Sequence, residues 1–451
     1  MFDTSLRMRA DGPRGLPVVN NLRFLTRSAF YAMRAMAPYH AQPIVPVTSG
    51  NASIVVALGE PSVRQVCTDN VTFHRAGEGV FNIPEGRPYS GMFQAVITAN
   101  GDEHRRRRRL LMPVVHKTAM EHYQKVFAET FLRSRFADSG TRGEPFDMVA
   151  EFLWISKVNM LRCLLGITDP ERHLDVAGDI LRVSDGVNHP LVILLPWERP
   201  WTPYGRWVGT VADAYAHLAR LIERRRGEPP GPDALSIVCH ATDEDGDRLT
   251  TEEVAGELHG FFAAGFETTA MTMTWALLTM LASEAAGELD LADPVVLDAV
   301  VKESQRVLPA VPLGLPRRVT AGVTVNGSDP VPRGSLLFTA AVVAHHDPVV
   351  FPDPYAFRPS RWLDGASPSP YEYFPFGVGA RRCLGAAFAE AQTRTTLALI
   401  ARRTLPRLLT TKIDYHMKSG VTAAPRSAIH IDPSPGPRPR LTGSVTALWH
   451  Q

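Results

Sequence analysis

The ten residues Phe376-Gly377-Val378-Gly379-Ala380-Arg381-Arg382-Cys383-Leu384-Gly385 combine one thiol, three glycines and an aromatic ring. Glycines allow close backbone approach and positive φ, which a tight loop around a planar group requires. A thiolate persists only where N–H donors, cations or a metal lower its pKa. The helical pattern that follows Cys383 brings a positive helix end towards the sulfur. Cys383 is therefore either a metal-ligating thiolate or an inert thiol in a glycine-rich turn. For Cys67, Cys163 and Cys239, which lack such surroundings, the inert reading suffices.

Other residues are spaced for chemistry. Glu303 and Arg306 put a carboxylate and a guanidinium at i and i+3 on one helix face, a pairing that is weak evidence alone. Ala264-Gly265-Phe266-Glu267-Thr268-Thr269 sets poor helix formers inside a helical pattern. Either packing tolerates them, or a hydroxyl and water open the backbone ladder there. Ala264 and Thr268, at i and i+4, share a face. His104 and Arg108 stand one turn apart in the run Arg105 to Arg109, whose ordinary reading is a solvated charge run. Asp243, Asp245, Gly246 and Glu252 imitate part of a calcium loop, but its first position would be Ala241, which has no ligand atom. A solvated acidic turn is expected instead.

These groups need a scaffold. Thr250 and Glu253 form a capping-box pattern that opens a helix running to about Ser283, roughly 50 Å long and able to wall something central. Upstream, an amphipathic stretch at Thr26–Met36 precedes two short strands within Ile44–Leu58, around the turn composition Ser49-Gly50-Asn51. From His104 to Leu308 the pattern is mainly helical, with loops at Ser139–Glu144 and Gly227–Asp233. His189–Pro203, with four prolines and two tryptophans, cannot be continuous helix. After Pro309 short strands and turns follow, with one more helix over Leu384–Arg403. The expected fold is mainly α with a smaller β lobe, one catalytic domain over 1–451. Its helical lobe covers about 100–310 and 384–403, and its β lobe about 40–75, 311–350 and the C-terminus.

Composition excludes several classes. The 451 residues are 45% hydrophobic and 21% charged, with a net charge of +2, so no polyanionic partner is implied. The four cysteines form no C-x-x-C pair, which argues against a disulfide framework or a zinc site and for a reducing cytoplasm. The polar start Met1–Pro17 lacks a signal-peptide core. The most apolar stretch, Phe261–Leu281, is interrupted by Glu267 and threonines, so no membrane span is expected.

Taken in order, these motifs resemble those of the cytochrome P-450 family. Phe376 to Gly385 matches its haem loop F-x-x-G-x-R-x-C-x-G at every defining position. The resemblance implies that Cys383 ligates the iron of haem b, that Phe376 packs beside the sulfur, and that Arg381 reaches a haem propionate. Gly377, Leu384 and Gly385 complete that loop. Glu303 and Arg306 match the family's E-x-x-R motif, whose further arginine resembles Arg361 in Phe357-Arg358-Pro359-Ser360-Arg361-Trp362. Gln305 departs from the apolar residue more usual there. Ala264 to Thr269 is similar to the family's A-G-x-[D/E]-T-T oxygen groove, which implies a proton relay of Glu267 as acid and Thr268 as the hydroxyl positioning water. His104 and Arg108 match an H-x-x-x-R propionate contact. Arg318 is expected as a further propionate partner, with Arg317 as its competitor.

The resemblance implies a monooxygenase that activates dioxygen with two external electrons and hydroxylates a hydrophobic small molecule, such as a terpenoid, polyketide or aromatic metabolite of secondary metabolism. The implied pocket includes Phe81, Ile83, Phe93, Phe261, Val311, Leu313 and Val421, with the stretch His189–Trp201 as part of its roof. The sequence has no flavin or nicotinamide fingerprint, so a ferredoxin and its reductase are the expected electron donors. They would dock on a basic face of Arg105, Arg106, Arg109, Arg382 and Arg394. Oxidative coupling, desaturation or peroxide-driven oxidation are the alternatives within the chemistry, and a non-catalytic haem sensor the alternative outside it. The Glu267-Thr268 pair favours reductive oxygen activation over obligate peroxide use.

Overall fold

A computed structural model describes residues 42–46, 53–76, 87, 90, 94–137, 143–170, 174–187, 189, 191–192, 195–365, 367–403, 405–418 and 421–449. The stretch Thr26–Met36, the turn Ser49-Gly50-Asn51 and the pocket candidates Phe81, Ile83 and Phe93 lie outside the described residues.

The chain opens with strands β1 (Ile44–Pro46) and β2 (Ile54–Ala57), helix α1 (Glu60–Thr68) and strand β3 (Phe73–Arg75). Helices then dominate: α2 (Gly101–Leu111), α3 (Lys117–Phe131), α4 (Met148–Leu165, after the short strand β4 at Phe146–Asp147), α5 (Leu174–Val187), α6 (Pro203–Arg226), α7 (Ala234–His240), α8 (Thr251–Ala282) and α9 (Pro294–Val307). Strands β5 (Arg317–Val319) and β6 (Leu336–Thr339) follow, then helix α10 (Ala386–Ala401) and strands β7 (Arg407–Leu408), β8 (Tyr415–Lys418), β9 (Thr422–Pro425) and β10 (His430–Asp432). The mainly α fold with a smaller β lobe is the expected one.

Local chemistry sets the helix ends. Asp147 caps α4 by accepting the Val149 N–H, and Gly166 ends that helix at φ 68°. Thr202 and Asp293 cap α6 and α9, each ahead of a proline at the first helical position. At α8 the capping box is complete: Thr250 Oγ1 accepts the Glu253 N–H at 3.2 Å, and Glu253 Oε2 accepts the Thr250 N–H at 2.7 Å. Its 32 residues span about 48 Å. Helix α10 starts two residues later than the sequence pattern suggests, because Leu384 and Gly385 form a turn beside Cys383.

Two apolar cores meet along α8. Its first half (Val254, Leu258, Phe262) packs with α4, α6 and α7. Its second half (Met271, Trp275, Leu278) packs with α4, α9, α10 and the β8–β9 hairpin. Trp275 is wholly buried and its Nε1–H donates to Ala423 O at 3.0 Å, so the ring contributes on the order of 2–3 kcal/mol by burial without orphaning its polar atom. Between these halves the α8 surface opens: Ala264 is exposed although it lies mid-helix.

The main sheet has the order β1-β2-β6-β5-β3, with β2 and β6 parallel and the other pairs antiparallel. A smaller sheet, β4-β10-β7, and the β8–β9 hairpin complete the β structure. No helix among the described residues is long and apolar enough to cross a membrane.

Candidate active site

The Cys383 loop is shaped by its glycines. Gly377 and Gly379 adopt φ 67° and 73°. A Cβ on Gly379 would sit 2.5 Å from Cys67 O, so positive φ and close approach both demand glycine there. The Cys383 N–H donates to Phe376 O at 2.8 Å, which folds the loop so that Phe376 and Cys383 face each other across it. Cys383 keeps open surface, although protein crowds the rest of the residue. Desolvation raises its thiol pKa; the Gly385 N–H and the charges of Arg382 and Arg108 act in the opposite direction. Bound metal would deprotonate such a thiol outright.

The open stretch of α8 carries side-chain-to-backbone bonds of the kind that loosen a helix. Thr268 Oγ1 donates to Ala264 O at 2.6 Å, and Thr272 Oγ1 donates to Thr268 O at 2.9 Å. Ser156 on α4 donates to Phe266 O at 2.8 Å. Gly265 admits Met160, whose Cε would lie 3.1 Å from an added Cβ. Ala264 and Thr268 therefore share the open face. Glu267 points elsewhere: its Oε1 is sealed from solvent and meets Lys418 Nζ of β8 at 2.5 Å, as an ion contact without aligned hydrogen-bond geometry. No motif signals Lys418.

A cluster of cations gathers around Arg381 of the Cys383 loop. Arg75 on β3 stands directly opposite Arg317 on β5, and like charges placed so are destabilising unless an anion joins them. Burial first, then Arg317 and Arg381, depress the Arg75 guanidinium to about 9. Burial, then Arg317 and Arg108, bring Arg381 to about 10. Burial, then Arg381 and Arg108, push His104 down to about 4. Among the described residues, no carboxylate forms an ion pair with Arg75, Arg317 or Arg381. Arg381 spends two donors on Val96 O (3.3 Å) and Asn100 Oδ1 (2.8 Å). The cluster calls for a partner bearing negative charge.

The register of β5 separates the two arginine candidates. Arg318 pairs with His74 on the opposite sheet face and is exposed, whereas Arg317 is buried within the cluster. Strand alternation gives the inward position to Arg317. Arg75, invisible to motif reasoning, enters the cluster by the same register.

Behind the loop, Glu303 is wholly buried and accepts from Arg306 Nε (2.9 Å) and Nη2 (2.8 Å), the Arg358 N–H (2.9 Å), Arg361 Nε (3.0 Å) and Trp362 Nε1 (2.9 Å). Burial alone would raise its carboxyl pKa, but these donors, Arg306 foremost, hold it below the ordinary range. Arg306 also donates to His345 O at 2.8 Å, and His345 Nε2 accepts the Phe374 N–H at 2.9 Å, which carries the network into the Cys383 loop. Gln305, unusual at its motif position, accepts from Tyr373 OH at 3.3 Å.

Other expectations fare variously. Ala423 N–H donates to Ala310 O at 2.8 Å, which draws Val311 and Val421 into one region beside α8. Phe261, Val311 and Val421 keep part of their surface, whereas Leu313 is buried in the main core. The basic face is largely neutralised within the chain. Arg105 pairs with Asp102, Arg106 with Asp243 and Glu253, Arg109 with Glu244, and Arg394 with Asp298 and Glu390. Among the described residues only Arg382 of that set has no carboxylate partner.

The donor set fits an iron porphyrin. It offers one surface-open cysteine in a donor-rich loop, an open stretch on helix α8 at Ala264, and a cationic cluster suited to two carboxylates. Comparison with known proteins agrees. The family model for cytochrome P-450 matches residues 11–288 and 283–404. Cytochrome P-450 138 of Mycobacterium tuberculosis is 30% identical over 362 residues, covering 77% of this chain and 79% of that protein. Cytochrome P-450 135B1 of the same species is 29% identical over 426 residues, covering 87% and 84%. Among solved structures, the retinoic acid-bound cyanobacterial CYP120A1 superposes with a TM-score of 0.74 at 20% identity, over 93% of this chain and 98% of that one. The P-450 PksS of the Bacillus subtilis 168 bacillaene polyketide synthase gives 0.73 at 18% identity, over 94% and 100%. The chain belongs to the cytochrome P-450 family, and is a haem b-dependent, thiolate-ligated monooxygenase.

Proposed function

We propose that this chain works as one catalytic domain in the cytoplasm and hydroxylates a hydrophobic small molecule of secondary metabolism, with electrons from a ferredoxin and its reductase. The observation that carries the site assignment is the surface-open Cys383 beside Arg108, which belongs to a cluster of arginines without ion-paired carboxylates. Cys383 would hold the iron as thiolate, with Phe376, Gly377, Leu384 and Gly385 shaping its loop. His104, Arg75, Arg108, Arg317 and Arg381 would neutralise the propionates, Arg317 in place of Arg318. When bound, haem supplies the activation of dioxygen that lets one oxygen atom enter the substrate.

The chain's own residues govern water and protons. Ala264 keeps the helix face small and apolar. The Thr268 hydroxyl, anchored on Ala264 O, can hold a water at Oγ1, and Glu267, whose Oε1 meets Lys418 Nζ, would serve as the acid of the relay. Phe261, Val311 and Val421 would contribute to an apolar pocket, which suits a hydrophobic substrate. Arg382 would form the remaining positive ground for an acidic donor protein. Product analysis with a surrogate ferredoxin system separates hydroxylation from coupling or desaturation.

The first test is the absorption spectrum of the dithionite-reduced, carbon monoxide-bound protein. A strongly red-shifted Soret band that disappears in Cys383→Ala is expected. A band of the histidine-ligated type, or a variant spectrum unchanged from wild type, overturns the Cys383 assignment.

A further inference from the structure

We infer that Glu257 and Arg107 are positioning residues for the cationic cluster, acting through the backbone of Val96. The inference rests on the proposal that this cluster binds the haem carboxylates.

Glu257 lies on α8, two turns before Ala264, and is wholly buried. Its Oε1 and Oε2 both accept the Val96 N–H, at 2.9 and 3.1 Å. Arg107 of α2, itself buried, donates from Nη1 to Glu257 Oε1 at 3.1 Å. The other charged groups around the pair are Glu253, one turn earlier on α8, and Glu103 on α2, both bonded to Arg107. Glu253 also meets Arg106, which Asp243 engages in turn.

On its other side, the same short segment holds the cluster. Val96 O accepts from Arg381 Nη1 at 3.3 Å, and Ile97 O accepts from Arg75 Nε at 3.1 Å. Asn100 Oδ1 accepts from Arg381 Nη2 and from the Arg75 N–H, both at 2.8 Å, while its Nδ2 donates to Arg75 O at 3.3 Å. The segment is stiffened by a turn in which the Thr98 and Ala99 N–H groups both donate to Ala95 O at 2.9 Å. Gly260 lets the turn sit close, since an added Cβ would lie 3.4 Å from Ala95 Cβ. A displacement of peptide 96 therefore moves the acceptors of both arginines.

Burying a carboxylate is costly, and a buried ion pair is seldom more stabilising than an apolar pair of the same volume. Neither Glu257 nor Arg107 touches the cluster. What their placement provides is a fixed direction for the Val96 peptide, the kind of outer support whose loss typically weakens a cofactor site 10- to 100-fold.

The test is titration of the apoprotein with hemin, followed by Soret absorbance, for wild type, Glu257→Leu, Glu257→Gln, Val96→Pro and Arg381→Ala. Glu257→Leu removes the acceptor, and hemin affinity is expected to fall about 10- to 100-fold. Glu257→Gln keeps a carbonyl for the Val96 N–H and should restore most of that loss. Val96→Pro deletes the donor while keeping an apolar side chain of similar size, at the second residue of the Ala95–Thr98 turn, where proline is tolerated, and should mimic Glu257→Leu even if the latter fails to fold. Faster amide exchange over residues 94–100 in both variants is the accompanying structural readout. If Arg381→Ala weakens binding while Glu257→Leu and Val96→Pro bind as wild type, the positioning role is overturned and the carboxylate-binding cluster stands. If Arg381→Ala binds hemin as wild type, the cluster reading falls, and the inference with it.

Discussion

Replacing Glu303 with glutamine should be among the most damaging single changes outside the haem face. The carboxylate takes five donors, four from side chains and one from the backbone. A carboxamide offers one acceptor oxygen and turns N–H groups towards the donors it replaced. It leaves Arg306, whose side chain has no exposure, without its counter-charge. Removing one partner of a buried pair costs about 3–5 kcal/mol, a large share of the 5–15 kcal/mol typical of a folded domain. Urea unfolding followed by far-UV circular dichroism should give a lower midpoint at unchanged slope. Arg394→Ala, which cuts a half-exposed pair with Asp298, is the control and should cost less than about 1 kcal/mol. The pH dependence adds a check. The native pKa of Glu303 is depressed, so its contribution is fully present above the unfolded value near 4.3 and fades as pH falls through the native one. The gap between wild type and variant should close in that acid range. A Glu303→Gln protein within about 1 kcal/mol of wild type at neutral pH would refute the reasoning.

Three further outcomes are expected. Thr268→Ala should keep haem binding but divert electrons from product to hydrogen peroxide; product yield per NAD(P)H equal to wild type would remove Thr268 from the relay. Arg317→Ala should weaken hemin affinity roughly 10- to 100-fold, the worth of a charge-assisted hydrogen bond of about 1.5–3 kcal/mol, while Arg318→Ala leaves it nearly unchanged; equal losses would contradict the register argument. Burial holds His259 and His346 near 4, and lowers His345 as well. The unfolded chain therefore takes up their protons first as pH falls below about 6.5, and the thermal midpoint should drop from there towards pH 4. Glu257, raised to about 7 by burial, works in the opposite direction over its window, so Glu257→Gln should steepen that drop. A midpoint that stays level between pH 6.5 and 4.5 would refute the acid account.

Much of the site was legible from local sequence, because its determinants act over a few residues. The Thr250–Glu253 cap, the glycines that let the Cys383 loop turn, the i,i+3 pair Glu303–Arg306 and the i,i+4 pair Ala264–Thr268 are all properties of short segments. Their chemistry follows from residue type and spacing. The rest depended on contacts between distant segments, for which spacing carries no signal. Whether Arg317 or Arg318 faces inward is decided by the pairing of β5 with β3, since a shift of one residue reverses the faces. The same pairing brings in Arg75. The contact of Glu267 with Lys418 requires the β8–β9 hairpin to reach α8. Most of the basic face is charge-paired because Asp243, Glu253, Glu244 and Asp298 fold against its arginines. Glu257 looked like one more acid on a helix until the tertiary structure buried it between Arg107 and the Val96 peptide. Residue types set which groups could hold haem and handle protons; strand register and helix packing chose which of them face the site, because burial and charge pairing exist only once distant segments meet.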